Sequence, residues 1–429
     1  MTRTAIKVDH IARVEGHGNV HVVIEDGVVE TVEMNVVEPA RLFESMVRGR
    51  RYEEVPYIAS RICGICSASH VVTDLLAIEQ IFGVQVTDRT NALRELLVYG
   101  SYLQNHASHL FVFAAPDFIG HKSVFPLADE NPELFRQALG IKALGNDLCT
   151  QVGGRSIHPI TAVVGGFTHE IAADGYRELA DKLDAMRDFA AATVDLFHSF
   201  DVPDMETEGD MLAMVAPDRY AVVGSRTARL LGAGLSFDCG AVDDVIEEYA
   251  VPHSAALFSR VRSTGKPFFT GALARINASW QNLSREAKVA AAKAGLRPPE
   301  RNPFMNNVAQ AVELVDALDR CSELCRRLAN DEFEGTSIPL SFEVRAGRGV
   351  GFTEAPRGAL FHELELDDEG RVMRASIITP TAQNIANLEA DMRVLAEVIV
   401  AGGAGEAEAQ LEIEKLVRAY DPCLSCSVH

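Results

Sequence analysis

Positive charge is scarce in this chain: 40 Lys and Arg stand against 61 Asp and Glu in 429 residues, a net charge of −21. Phosphate backbones and anionic lipid surfaces recruit Lys and Arg, so a nucleic-acid groove and a membrane-surface face are both disfavoured. No apolar run reaches the roughly 18 residues of a spanning helix. The start, M-T-R-T-A-I-K-V-D-H, also lacks the apolar core of a secretory signal. These absences predict a cytoplasmic protein. Cysteine is sparse too, at eight residues, and a reducing compartment favours metal ligation by thiols over disulfides. There is no repeat, low-complexity tract or clear linker. G-R-G-V-G from Gly347 lacks the G-x-G-x-x-G order and βαβ context of a dinucleotide site.

What is present is a large globular composition, 47% hydrophobic with mean hydropathy near zero. Half of the cysteines are gathered at the two extremities. R-I-C-G-I-C-S-A-S-H supplies Cys63, Cys66 and His70, and the last nine residues, D-P-C-L-S-C-S-V-H, supply Cys423, Cys426 and His429. A C-x-x-C pair places two sulfurs on one side of a turn, and two pairs make the soft four-ligand set of zinc, nickel or iron–sulfur centres. Zinc-ribbon pairs are separated by roughly 15–20 residues, whereas here nearly the whole chain intervenes. The expectation is one four-thiolate site joining the first and last parts of a large fold.

Periodicity sketches that fold. Val20, Val22 and Ile24, the turn Asp26-Gly27, and Val32, Met34 and Val36 read as a β-hairpin over about Asn19 to Val37. Glu15 and His17 sit just before it in the loop A-R-V-E-G-H-G, and a short helix around Arg41 to Arg48 carries Glu44. Helical spacing recurs from Leu93 to Leu110, with Pro116 the latest expected stop, from Ala172 to Phe200, and from Pro303 to about Asn330. A second hairpin is predicted from His362 to Ile378, followed by two helices that end at Pro422. The predicted architecture is α+β and predominantly α: a bundle of long helices with peripheral β-hairpins, forming one unit over 1–429. Within it, a hairpin region spans about 1–40, a helical core about 41–335, and a hairpin with helices about 336–429.

The residues carry a resemblance. R-x-C-G-x-C-x-x-x-H near the start and D-P-C-x-x-C-x-x-H at the end are both complete here, as are A-R-V-E-G-H, R-L-F-E, G-G-R-S-I-H-P, E-A-P-R-G and T-P-T-A-Q-N. On these motifs the chain resembles the large, catalytic subunit of nickel–iron hydrogenases along its whole length. Its wording looks most like the cytoplasmic NADP-linked, or sulfhydrogenase, group. A quinone-reducing relative of this fold lacks the four cysteines and is disfavoured by them.

The resemblance implies reversible oxidation of H2. Cys63 and Cys423 would be terminal ligands of nickel, and Cys66 and Cys426 would bridge it to an iron carrying CO and two CN. Splitting H2 heterolytically needs a hydride acceptor and a nearby base; the expectation gives the first role to nickel and the second to the Cys423 thiolate ahead of Arg357. Arg357 would pack over the metals and hydrogen-bond a cyanide, since a guanidinium is too basic to be an easy proton acceptor. Thr381, beside Pro380, would hold the other cyanide. Glu15 would be the next proton station, a carboxyl partly removed from water, and His70 would approach the Cys66 sulfur and tune it.

A magnesium or other divalent ion is implied near the C-terminus, held by Glu44, His429 and the Ile385 carbonyl. Ending at His429 matches a chain already trimmed by a maturation protease. No four-cysteine iron–sulfur motif remains, so electrons would leave through a small iron–sulfur subunit, with FAD and NADP on further diaphorase subunits. Cys149, Cys239, Cys321 and Cys325 read as core residues, and His106, His109, His158 and His169 as structural or interface residues. The alternative is a non-catalytic scaffold subunit of a redox complex, stapled by a four-cysteine zinc site.

Overall fold

A computed structural model describes residues 3–403 and 405–429. At the N-terminus the expected hairpin forms from Gly18–Glu25 and Val28–Val36, with Asp26 and Gly27 at positive φ in the turn. Period-two alternation buries Val20, Val22, Met34 and Val36. A third strand, Arg3–Val8, pairs antiparallel along Gly18–Glu25 and was not foreseen.

The middle of the chain is built on long helices, Ser67–Phe82, Asp88–Ser108, Pro132–Gly153 and Asn306–Ala329. Leu93, Leu96, Leu97 and Leu103 are all buried on one of them, and Val308, Val312, Val315, Leu318 and Leu328 on another. Asp88–Ser108 and Pro132–Gly153 cross at glycine, where a Cβ on Gly145 would lie 2.8 Å from the Gly100 carbonyl oxygen.

Three helical expectations need correction. The helix through Leu110 does not stop before Pro116. It widens into a π-helical stretch, His109–Ala114, and resumes over Ala115–Phe118, whose first turn takes Pro116 where no backbone N–H donor is required. Ala172 to Phe200 is two helices, Ala173–Asp184 and Arg187–His198. The supposed helical core is also interrupted by a four-stranded sheet of Asp210–Met214, Thr227–Leu230, Leu235–Asp238 and Phe268–Thr270, and by the hairpin Ile246–Ala250 with Leu257–Val261. These strands are three to five residues long, too short for a clear period.

The C-terminal hairpin belongs to a three-stranded antiparallel sheet, Gly347–Ala355, Gly358–Leu366 and Val372–Ile378. It is not peripheral. Its central strand is almost wholly buried, and its first strand lies on the helix Ser67–Phe82. Any Cβ at Gly349 or Gly351 would fall 2.2 Å from the Ala77 carbonyl oxygen or 1.9 Å from that of Thr73. The glycines of G-R-G-V-G therefore serve helix–strand approach. Helices Pro380–Gly402 and Glu406–Ala419 close the chain, and the largest buried apolar cluster runs from Val8 to Val428. Among the described residues no helix is long and apolar enough to cross a membrane.

Candidate metal centre

The first cysteine pair is placed by local structure. A 3-10 turn, Ser60–Ile62, delivers Cys63, and Cys66 is the N-cap of the helix Ser67–Phe82. The second pair follows Asp421, held at φ 48°, and Pro422, and it leads into the 3-10 turn Ser425–Val428. Hydrogen bonds dock this tail. Leu424 N–H donates to the Glu15 carbonyl at 2.9 Å, Cys423 N–H to Thr381 Oγ1 at 3.0 Å, and Thr379 Oγ1 to the Cys426 carbonyl at 3.1 Å. Gly16, at φ +84°, lets the tail pass: a Cβ there would sit 2.7 Å from Ser425 N. Arg41, which opens R-L-F-E, clips both pairs together, with Nη1 donating to the carbonyls of Ile62 (2.6 Å) and Ser425 (3.4 Å) and Nη2 to that of Arg61 (2.7 Å).

All four cysteines are buried, beside Phe43, Ala59, Ile62, Ala355, Leu360 and Ile377. Cys63 Sγ lies 3.7 Å from Cys423 Sγ, and the sulfurs of Cys63, Cys66 and Cys426 lie within 4.8 Å of one another. The two ends of the chain thus converge. One detail departs from expectation: Cys423 and Cys426 are joined as a disulfide, where four free thiols were predicted. A C-x-x-C turn brings its sulfurs within bonding reach, and the four-thiolate set is the reduced form of this arrangement. A hydrogen bond from Cys66 lowers the Cys63 thiol pKa to about 7, helped by the Arg357 charge, and the same pairing raises that of Cys66.

Around the sulfurs, Glu15 Oε2 lies 3.0 Å from Cys423 Sγ. That carboxylate is oriented by Ser425, whose Oγ donates to Oε1 at 2.5 Å and whose N–H donates to Oε2 at 3.2 Å. Arg357 Nε donates to the carbonyl and the Oδ1 of Asp421 at 2.8 and 3.0 Å, while its buried Nη1 and Nη2 have no partner. Burial opposes its charge, but Asp421 and the thiols hold its pKa above the ordinary guanidinium value. Asp421 in turn accepts from Asn105 at 2.7 Å and Gln310 at 3.0 Å. Pro380 starts the last long helix and presents Thr381.

His70 differs from expectation. Its Nδ1 meets His362 Nε2 at 3.0 Å, whose Nδ1 meets Asp74 at 2.7 Å, and its buried Nε2 has no partner, so no hydrogen bond to Cys66 Sγ is formed.

Beside this centre, His429 Nε2 lies 3.9 Å from Glu44 Oε1, which accepts from Ile377 N–H at 2.8 Å. Burial lowers the His429 pKa to about 4, leaving a neutral ring suited to a metal, and burial raises that of Glu44. Ile385 is not part of this group. It is buried inside the helix Pro380–Gly402, where its carbonyl is engaged in the helical ladder. The backbone beside Glu44 and His429 belongs to Ile377, which also hydrogen-bonds His429. Nearby Glu248 has a buried Oε1 without a partner, and burial pushes its pKa up to about 8, with Glu44 adding to the shift.

Sequence reasoning missed Asp421, Arg41, Ile377, Glu248 and His362. Asp421 and Arg41 lie within quoted motifs and Ile377 stands two residues before one; Glu248 and His362 carry no such signal. His158, left as structural or interface, packs on the first pair, its Nδ1 2.9 Å from the Ser60 carbonyl oxygen and its N–H donating to Ser67 Oγ at 2.8 Å. Cys149, Cys239, Cys321 and Cys325 are core thiols, each with a pKa raised by burial.

The family model for nickel-dependent hydrogenases matches residues 41–132 and 262–429, more than half of the chain. The chain belongs to the nickel-dependent hydrogenase family. Within that family it is similar to two Pyrococcus furiosus proteins. It is 36% identical to sulfhydrogenase 1 subunit alpha, covering 99% of this chain and 97% of that one, and 33% identical to sulfhydrogenase 2 subunit alpha, covering 99% and 98%. It superposes on the crystal structure of an NAD+-reducing [NiFe]-hydrogenase in the H2-reduced state with a TM-score of 0.87 at 28% identity, each chain covered in full. It is therefore the large, catalytic subunit of a nickel–iron hydrogenase. The donor set fits the group this family carries: converging soft sulfurs, an apolar enclosure, and two unpaired guanidinium nitrogens that can donate to a metal-bound anion.

Proposed function

We propose that this chain oxidises H2 reversibly to two protons and two electrons, using Glu15 to carry the proton and a partner subunit to carry the electrons. The observation that supports this most directly is the 3.0 Å approach of Glu15 Oε2 to Cys423 Sγ inside a cluster of four convergent cysteines. Cys63 and Cys423 would hold the nickel, with Cys66 and Cys426 shared between it and the iron, the assignment the resemblance implies. When bound, the metal pair polarises H2 and takes up its electrons.

The protein supplies the remainder. The apolar wall of Phe43, Ile62, Leu360 and Ile377 excludes water, so a proton released at the Cys423 sulfur has the Glu15 carboxylate as its adjacent oxygen acceptor. Ser425 holds that acceptor in place by two hydrogen bonds, and Glu15 itself is only half-buried, so it can pass the proton outward. Arg357 keeps its charge and would offer its free Nη1 and Nη2 to a cyanide, and Thr381, beside Pro380, would serve the other. His70 supports the first pair from the adjoining helix.

Glu44, His429 and the Ile377 carbonyl form the site for magnesium or another divalent ion, with Ile377 in place of Ile385. Electrons leave through an iron–sulfur subunit to diaphorase subunits carrying FAD and NADP, in a soluble, cytoplasmic complex. This part of the reading is supported by likeness to relatives named as subunits of sulfhydrogenases and of an NAD-reducing hydrogenase.

Elemental analysis and infrared spectroscopy test the centre: nickel and iron near one each with CO and CN bands support it, and zinc alone would indicate the scaffold. Glu15→Gln tests the proton route. It should keep full nickel content and lose at least about 100-fold in H2 turnover, the lower end of general acid–base contributions; normal turnover would remove Glu15 from the mechanism.

A further inference from the structure

Two buried arginines meet at the turn between Ala355 and Gly358, and they use their donors in opposite ways. Arg357, carried by the turn, spends only Nε, on Asp421, and leaves Nη1 and Nη2 unpaired. Arg275, from the helix Ala272–Ser279, spends everything. Its Nε donates to Glu313 Oε1 (2.6 Å), Nη1 to Glu354 Oε2 (3.1 Å) and the Ala355 carbonyl (3.0 Å), and Nη2 to Glu313 Oε2 (2.8 Å) and the Pro356 carbonyl (2.8 Å). These five acceptors match the five N–H groups of a guanidinium.

Glu313 is held in its turn by Tyr220 OH at 2.5 Å and by His106 Nε2 at 2.8 Å. Tyr102 OH adds bonds to the carbonyls of Glu354 (3.1 Å) and Ala355 (3.4 Å), so every carbonyl entering the turn is gripped by a helix side chain. Ala355 itself packs in the same buried cluster as the four cysteines. A buried ion pair is a weak source of stability compared with apolar packing, and fixing a unique geometry is its better-attested use.

We propose that Arg275, oriented by Glu313 and assisted by Tyr102, is a positioning residue of the hydrogenase reaction: it fixes the Ala355–Pro356 backbone so that the free nitrogens of Arg357 reach the ligands of the bound metal pair. The proposal rests on the metal-centre reading above. It gives Arg275 no contact with substrate or metals; its whole effect passes through Arg357.

The test uses the assembled holoenzyme and three readouts: nickel per chain, the infrared bands of CO and CN, and H2 uptake. Arg275→Lys keeps the charge but loses the fork. It should retain nickel, shift or broaden the CN bands, and lower turnover about tenfold, as small misplacements at a reacting centre do. In an Arg357→Lys background the same substitution should have almost no further effect on bands or turnover. Unmoved bands at full nickel, or an equal loss in both backgrounds, would overturn the proposal. If Arg275→Lys fails to fold, Tyr102→Phe removes one hydroxyl from the same carbonyls and should move the same bands by less; unmoved bands there would overturn it equally. Absence of CO and CN bands in the unsubstituted protein defeats the metal-centre reading itself, whereas bands present but unmoved defeat only the role of Arg275.

Discussion

The two cysteine pairs reach one site by opposite routes. Cys63 and Cys66 lie between a 3-10 turn and a 16-residue helix continuous with them, and Cys66 N–H donates to Cys63 Sγ at 3.3 Å. Cys423 and Cys426 sit on a tail whose anchors are Glu15, Arg41, Thr379 and Thr381, all remote in sequence. The first pair is set chiefly by local structure, whereas the second, though it has a local turn of its own, is put in place by tertiary docking. Docking such a tail costs ordering entropy, offset by its anchors and by burial of Leu424 and Val428 in the core. The difference teaches that the second pair is the more sensitive of the two to loss of remote side chains.

The largest expected effect comes from Arg41→Ala, because Arg41 is the side chain that bonds both segments. Its loss removes donors to Ile62, Arg61 and Ser425 and should weaken tail docking by about 3 kcal/mol, a few charge-assisted hydrogen bonds in a partly exposed setting. In reduced, metal-free protein, alkylation should rise at Cys423 and Cys426 far more than at Cys63 and Cys66, read by peptide mass spectrometry. Equal exposure of both pairs would erase the distinction between them.

How much of this was legible follows the same divide. The cysteines were readable because chemistry demands four soft ligands and only two C-x-x-C pairs exist, and the hairpin at Asp26-Gly27 and the helix at Val308 were readable because their patterns are local. What failed was tertiary. Ile377 rather than Ile385 lies beside Glu44 because Ile377 is on the edge strand of its sheet, where backbone can turn to a neighbour, while a carbonyl inside a helix is already bonded. His70 pairs with His362, 292 residues away, which no spacing rule anticipates. The short strands from Asp210 to Thr270 carry too few residues for a period, and Pro116 is tolerated because a π-helical stretch precedes it.

A second way to probe the tail is acid. Burial holds the His429 pKa near 4 in the folded chain against 6.5 for the free side chain. The unfolded or undocked tail therefore binds the extra proton between these values. Docking keeps its full strength above about pH 6.5 and weakens as pH falls toward 4, by on the order of 3 kcal/mol over the whole window. Glu44, whose pKa burial raises, contributes the opposite slope, so the comparison must be made against His429→Gln. In the metal-free protein, thiol exposure of the second pair should increase from pH 6.5 to 4.5 in the unsubstituted chain more steeply than in His429→Gln. Parallel profiles would show that the last residue does not couple protonation to docking.

The smallest effect should come from a single hydroxyl. Thr381 Oγ1 accepts the Cys423 N–H at 3.0 Å in a fully buried setting, and Thr381→Val keeps the shape while leaving that donor unpaired. The expected cost is about 1–2 kcal/mol, expressed as faster alkylation of Cys423 and Cys426 with no change at Cys63 and Cys66. Thr381→Ser, which keeps the acceptor and loses only a methyl group, should restore most of the protection. If serine and valine both fail, the tail needs the packing of the methyl group as well as the hydrogen bond. If valine protects as well as threonine, the tail is held by Arg41, Glu15 and Thr379 without Thr381, and the contrast between the two pairs rests on fewer anchors than the geometry supplies.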